Sequence, residues 1–147
     1  MKAHIGKTID ELKIGDRAYF AKTLTESDMM LFAGITGDLN QLPINEEFAK
    51  RTHFGKRIAH GMLTAGFIST ILGMKLPGFG TAINRMNVRF TAPVFLGDTI
   101  EICVELTGIR AAENRAEFKA SVMNQHGQTV LEGSGEVSPP VAPPVEE

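Results

Sequence analysis

Hydrophobic and polar residues alternate with a period of two over four stretches in the second half of the chain. Met86, Val88 and Phe90 are separated by Asn87 and Arg89, and Ile100, Ile102, Val104 and Leu106 by Glu101, Cys103 and Glu105. Ala116, Phe118, Ala120 and Val122 alternate with Glu117, Lys119 and Ser121, and Leu131, Gly133, Gly135 and Val137 with Glu132, Ser134 and Glu136. That period sends successive side chains to opposite faces, so each stretch predicts a strand with one face on a core and the other on water. Pro93 with Gly97-Asp98, the polar run from Arg110 to Asn114, and Gln125-His126-Gly127 separate them as turns. Gly15-Asp16 leads into a further strand from Arg17 to Leu24.

Other stretches follow the helical period. Thr25-Glu26-Ser27-Asp28 has the form of a capping box, and Met29, Leu31, Phe32 and Ile35 supply an apolar stripe behind it. Residues 46–51 predict a short helix. The run from Gly61 to Met74 carries no charge, so it is not a surface amphipathic helix, and it is shorter than the roughly 20 residues needed to span a bilayer. It predicts a helix buried nearly all round. The fold class expected is α+β: a single domain over residues 1–138, with an antiparallel sheet wrapped around that helix. The segment 139–147, rich in proline, predicts an extended tail outside the sheet. A sheet with open edges and one small core also predicts self-association, as a homodimer or higher homo-oligomer.

Composition narrows the function. The chain has 147 residues, a formal net charge of -2 and a charged fraction of 22%, which excludes wholesale disorder and the basic footprint of a general nucleic-acid binder. Its one cysteine, Cys103, has no internal partner, and no Cys/His cluster has metal-site spacing. No apolar leader follows Met1, so the expectation is a cytoplasmic protein with no membrane partner.

The candidate chemistry lies between the first helix and the apolar one. Asp38 and Asn40 occupy a glycine-containing loop, where a carboxylate is by default a turn former. His60-Gly61 opens the apolar helix, and main-chain N–H groups there have no intrahelical partner, which suits a developing oxyanion. His60 itself reads as structural, at the helix entrance. His53 reads as a solvated loop histidine. In the basic cluster Lys50-Arg51 and Lys56-Arg57, Arg57 stands nearest that entrance.

The sequence resembles the MaoC-like dehydratase family of hot-dog proteins, and most closely its single-domain (R)-specific enoyl-CoA hydratases. The resemblance spans residues 10–138. It is carried by Thr36-Gly37-Asp38-Leu39-Asn40, Phe48-Ala49, Arg57-Ile58-Ala59-His60-Gly61-Met62, Leu76-Pro77-Gly78 and Phe90-Thr91-Ala92-Pro93-Val94-Phe95-Leu96-Gly97-Asp98. It implies a hydro-lyase in which water adds across a trans-2-enoyl thioester, with Asp38 as base and the Gly61 N–H as oxyanion donor. Asn40, Arg57, His60 and Ser69 become substrate-binding candidates, Arg57 toward the phosphates of coenzyme A. The acyl-CoA thioester is then the partner, and no cofactor or metal is expected beyond the coenzyme A of the substrate.

One departure stands out. The family motif resembles Gly-Asp-x-Asn-Pro-x-His, and aligned without gaps Pro43 occupies the histidine position; a gapped alternative puts Asn45 there. Proline has no titratable atom, and a general acid/base is worth about 10²–10⁴ in rate, so hydratase activity is expected to be impaired. Two other readings follow: a non-catalytic acyl-CoA-binding protein or heterodimer partner, and an acyl-CoA thioesterase working through Asp38 alone.

Overall fold

The computed structural model describes residues 4–143. The five expected strands form: β1 (Arg17–Thr23), β2 (Ala82–Phe90), β3 (Thr99–Arg110), β4 (Arg115–Met123) and β5 (Thr129–Ser138). They make one sheet in the order β1-β3-β4-β5-β2, with each neighbouring pair antiparallel. Register follows the alternation. Ile102 faces Val122, Val104 faces Ala120 and Leu106 faces Phe118, while Val122 faces Leu131 and Ala116 faces Val137. These inward residues are buried. Gly135 leaves room for the Phe118 ring: a Cβ there would stand 2.8 Å from Phe118 Cζ and collide with the Arg85 carbonyl.

Among the described residues four α-helices accompany the sheet: α1 (Glu26–Thr36), α2 (Gln41–Ile44), α3 (Glu46–Lys50) and α4 (Gly61–Met74). The capping box at Thr25 forms as expected, with the Thr25 side chain accepting from the Asp28 N–H and the Asp28 side chain from the Thr25 N–H. Helix α4 lies in the concave face of the sheet, where Ile68, Ile71 and Leu72 are fully buried with Ile100, Ile102 and Val122. Burying such side chains is worth roughly 1.5–3 kcal/mol each, and this is the main cohesive force of the domain. Among the described residues no helix is long and apolar enough to cross a membrane.

Three expectations need correction. Helix α4 is not buried all round: Gly61, Met62, Gly66, Ser69 and Met74 are exposed along one stripe. A single five-stranded sheet covers only one side of the helix, and among the described residues nothing covers that stripe. On α1, Met29 and Ala33 are buried, but Leu31 is 62% and Ile35 83% exposed, so the inward stripe is narrower than the sequence indicates. The tail leaves the sheet after Ser138, yet Pro139 and Pro140 are buried: Pro140 packs at Gly80, and Asn114 Nδ2 donates to the Pro139 carbonyl at 2.9 Å. Residues 144–147 of the tail lie outside the described residues.

Candidate active site at the entrance of the central helix

The loop after α1 is built from side-chain-to-backbone bonds that its sequence dictates. Gly37 takes the left-handed conformation (φ 75°) that closes α1, and its N–H donates to the Ala33 carbonyl. The Asp38 N–H then donates to Thr36 Oγ1 at 3.1 Å, and Asp38 Oδ1 accepts from the Asn40 N–H at 3.2 Å, an Asx turn. Asn40 caps α2 by accepting from the Leu42 N–H at 3.0 Å. Pro43 stands third in α2, where an N–H would have no intrahelical acceptor, so its missing donor is tolerated.

Across from this loop stands the start of α4. His60 is its N-cap, only 5% exposed, and its ring lies 4.7 Å from that of Phe32, centroid to centroid. His60 Nε2 is 3.2 Å from the Asp38 carbonyl oxygen. A carbonyl only accepts, so Nε2 carries the proton; Nδ1 is buried with no partner. Gly61 is the first helical residue, and its N–H has no acceptor within the helix.

Asp38, Asn40, Pro43, His60 and Gly61 line one cavity of about 320 Å³ together with Phe90. A second, more apolar cavity of about 430 Å³ shares Ile58, Ala59, Gly61 and Phe90 with it and continues to Val94 and Val130. The two meet where the Phe90 ring lies against Gly61; a Cβ on Gly61 would stand 2.9 Å from Phe90 Cε1. A carboxylate, a free helix-terminal N–H and an apolar continuation thus face one space. Chemically, that set can take a proton from water and stabilise negative charge on an oxygen a short distance away.

The structure brings together five of the seven residues singled out from sequence. Pro43 lines the cavity, whereas Asn45 caps α3 through the Phe48 N–H at 3.2 Å and donates to Gln41 Oε1 at 3.0 Å. Position 43, not 45, therefore shares the cavity with Asp38. Ser69 is exposed on α4 and is not among the lining residues of either cavity. Arg57 is close by but is not a free cation. Its Nη atoms donate to Glu26 at 2.6 and 2.8 Å, and its Nε donates to the Pro43 carbonyl at 2.6 Å. These contacts correct the picture of a guanidinium open to a phosphate. Lys50 pairs with Glu47 at 3.2 Å, Lys56 lies 4.5 Å over the Phe95 ring, and His53 packs on Phe54.

Two residues of the site escaped the sequence. Glu26 follows a capping threonine and reads as a first-turn carboxylate; nothing local signals a partner 31 positions away. Phe90 reads as the last inward residue of a strand, and its half-exposed position against Gly61 follows only from the docking of α4.

Comparison with known proteins gives a consistent result. A family model described as a MaoC-like domain matches residues 12–127. An (R)-specific enoyl-CoA hydratase from Rhodospirillum rubrum is 42% identical over 131 residues, covering 89% of this chain and 90% of that protein. A 3-hydroxybutyryl-CoA dehydratase from Methylorubrum extorquens is 40% identical over 131 residues, 89% of this chain and 83% of its own length. Among solved structures, the unliganded R-hydratase from Pseudomonas aeruginosa superposes with a TM-score of 0.86 at 33% identity, covering 97% of each chain.

Proposed function

This chain belongs to the MaoC-like domain family, and from that premise we propose that it is an (R)-specific enoyl-CoA hydratase, acting on trans-2-enoyl-CoA thioesters. The observation that carries the reading is the single cavity shared by Asp38 and the Gly61 end of α4. The thioester carbonyl oxygen is held by the Gly61 N–H, in the field of the helix N-terminus. Asp38 removes a proton from water as the water oxygen bonds to C3. The electron pair of the double bond moves through C2 toward the carbonyl oxygen, and the enolate collapses as C2 takes a proton. With no imidazole at position 43, the carboxyl group that Asp38 has just become is the donor available for that proton. One group then serves as base and acid in turn, on one face of the substrate.

The coenzyme A of the substrate is the only nucleotide the reaction calls for, and no separate cofactor enters. The working form is a homodimer, supported by the exposed stripe of α4 beside the unpaired edge of β2, and the proposed location is the cytoplasm. The test is an assay of the purified chain with crotonyl-CoA, following enoyl absorbance and free thiol together. Loss of absorbance without thiol, abolished in Asp38→Asn, is the expected result. Thiol release would make the chain a thioesterase. A second reading, binding without turnover, is favoured by Pro43, which supplies no proton to the cavity. Silence in both signals, with thermal stabilisation by butyryl-CoA, would select it.

A further inference from the structure

We infer that Arg57 is a positioning residue for Asp38: with His60 it grips the 38–43 segment at both ends, through main-chain carbonyls. Arg57 Nε donates to the Pro43 carbonyl at 2.6 Å, and His60 Nε2 donates to the Asp38 carbonyl at 3.2 Å. The two side chains leave the main chain three residues apart, on the stretch that runs directly into Gly61. That stretch is itself anchored. Ile58 forms a β-bridge with Phe95, the Ala59 N–H donates to the Val94 carbonyl at 2.7 Å, and the Leu96 N–H donates to the Arg57 carbonyl at 3.3 Å. The base and the oxyanion donor are therefore referenced to one fixed strip of backbone.

Glu26 completes the device. Its carboxylate receives both Nη atoms of Arg57 in a fork that sets the plane of the guanidinium, so that Nε points at Pro43. The Arg57 side chain is only 12% exposed while that of Glu26 is 57% exposed, so the arginine is the inner partner and the glutamate closes it from outside. The hydrogen bond from Arg57 holds the Glu26 carboxyl below its usual range, as a maintained pair requires. The acceptor at position 43 is a carbonyl, which every residue possesses. The grip thus accommodates proline, and Asp38 keeps its place though the side chain five positions on is not the motif's histidine.

The inference rests on the hydratase reading for its kinetic test, and has one test that does not. With crotonyl-CoA, Arg57→Gln is expected to lower kcat about ten- to a hundredfold, the scale of a displaced reacting group, with KM little changed. Arg57→Lys, which keeps a donor for Pro43 but loses the fork on Glu26, recovers only part of that loss. Glu26→Gln lowers kcat in the same direction by a smaller factor, and the double variant is no slower than Arg57→Gln alone, because both act through one contact. A raised KM at constant kcat would instead make Arg57 a phosphate ligand and overturn the inference. A lowered Tm with both constants unchanged would make it merely structural, and would overturn it too. Independently of turnover, amide exchange at residues 38–42 is expected to rise about tenfold in Arg57→Gln, with β3 and β4 unchanged. Unchanged exchange there refutes the grip, whereas faster exchange in a chain that never hydrates crotonyl-CoA refutes only the hydratase reading.

Discussion

Pro43 is buried in the wall of the Asp38 cavity, and its neighbours explain how a proline can sit there. Asn40 satisfies the Leu42 N–H, position 43 needs no donor, and Arg57 uses only the carbonyl. The backbone is thus ready for another side chain. Pro43→His is expected to place an imidazole opposite Asp38 and to raise kcat by up to about 10²–10⁴, the value of a general acid/base; a companion Gln41→Pro puts proline at the first helical position, which favours it. Steady-state kinetics on the two variants check this, and a well-folded Pro43→His with no gain would mean that the site departs from the family's in more than this one residue. At this scale the sequence was legible wherever structure is written in local spacing. The turn at Asp38 and Asn40 and the helix start at His60-Gly61 stand out because such signals are short-range, whereas the chemical roles of these residues come only from the family resemblance. Arg57 could not be read correctly, because a cation in a basic cluster looks free until a distant carboxylate is brought against it.

Among elements, α4 joins the core to the surface. Its apolar content marks it as the central helix, yet a sheet on one side leaves Met62, Gly66 and Ser69 uncovered. Beside that stripe lies β2, bonded to β5 on one edge and open on the other, with Met86 and Val88 forming a small hollow with Met62, Ala65 and Gly66. An open strand edge next to an apolar helix face is suited to isologous pairing with a second copy. Gly66 offers a clean test. A Cβ there meets nothing within 4 Å in the single chain, and replacing a helical glycine favours the helix by up to about 1 kcal/mol. Gly66→Glu is therefore expected to give a folded monomer by light scattering, with Tm lower only in so far as the dimer contributed to it. A dimer that persists would show that copies meet elsewhere. The strands were legible because the period-2 pattern is itself the consequence of having one wet face. The exposure of α4 was not, because an uncharged helix reads the same whether its last face meets its own chain or another copy.

Taken whole, the molecule holds its charges on the outside of the sheet and around the loops. Glu105 lies between Lys119 and Arg17, and Arg110 is shared by Glu113, Glu117 and Glu136. Exposed pairs of this kind contribute little singly, but they shift titration. Hydrogen bonds from Lys119 and Arg17 hold Glu105, and one from Arg57 holds Glu26, below the ordinary carboxylate range in the folded state. Their contribution is fully present above the unfolded pKa of about 4.3 and is lost as pH falls through the lowered folded values. Tm is thus expected to be flat from about pH 5 to 7 and to decline below about pH 4; a Tm that rises on acidification would contradict these assignments. The strand order carries one more consequence, for the making of the protein. Helix α4 is synthesised before any of β3, β4 and β5, the consecutive strands that enclose it, and the edge strand β2 must wait for β5, the last strand in the chain. On a ribosome adding roughly 5–20 residues per second, the most apolar segment is therefore exposed for on the order of seconds with nothing to cover it. Production of this fold is consequently most vulnerable to aggregation in its nascent form, and that vulnerability is independent of how stable the finished domain is.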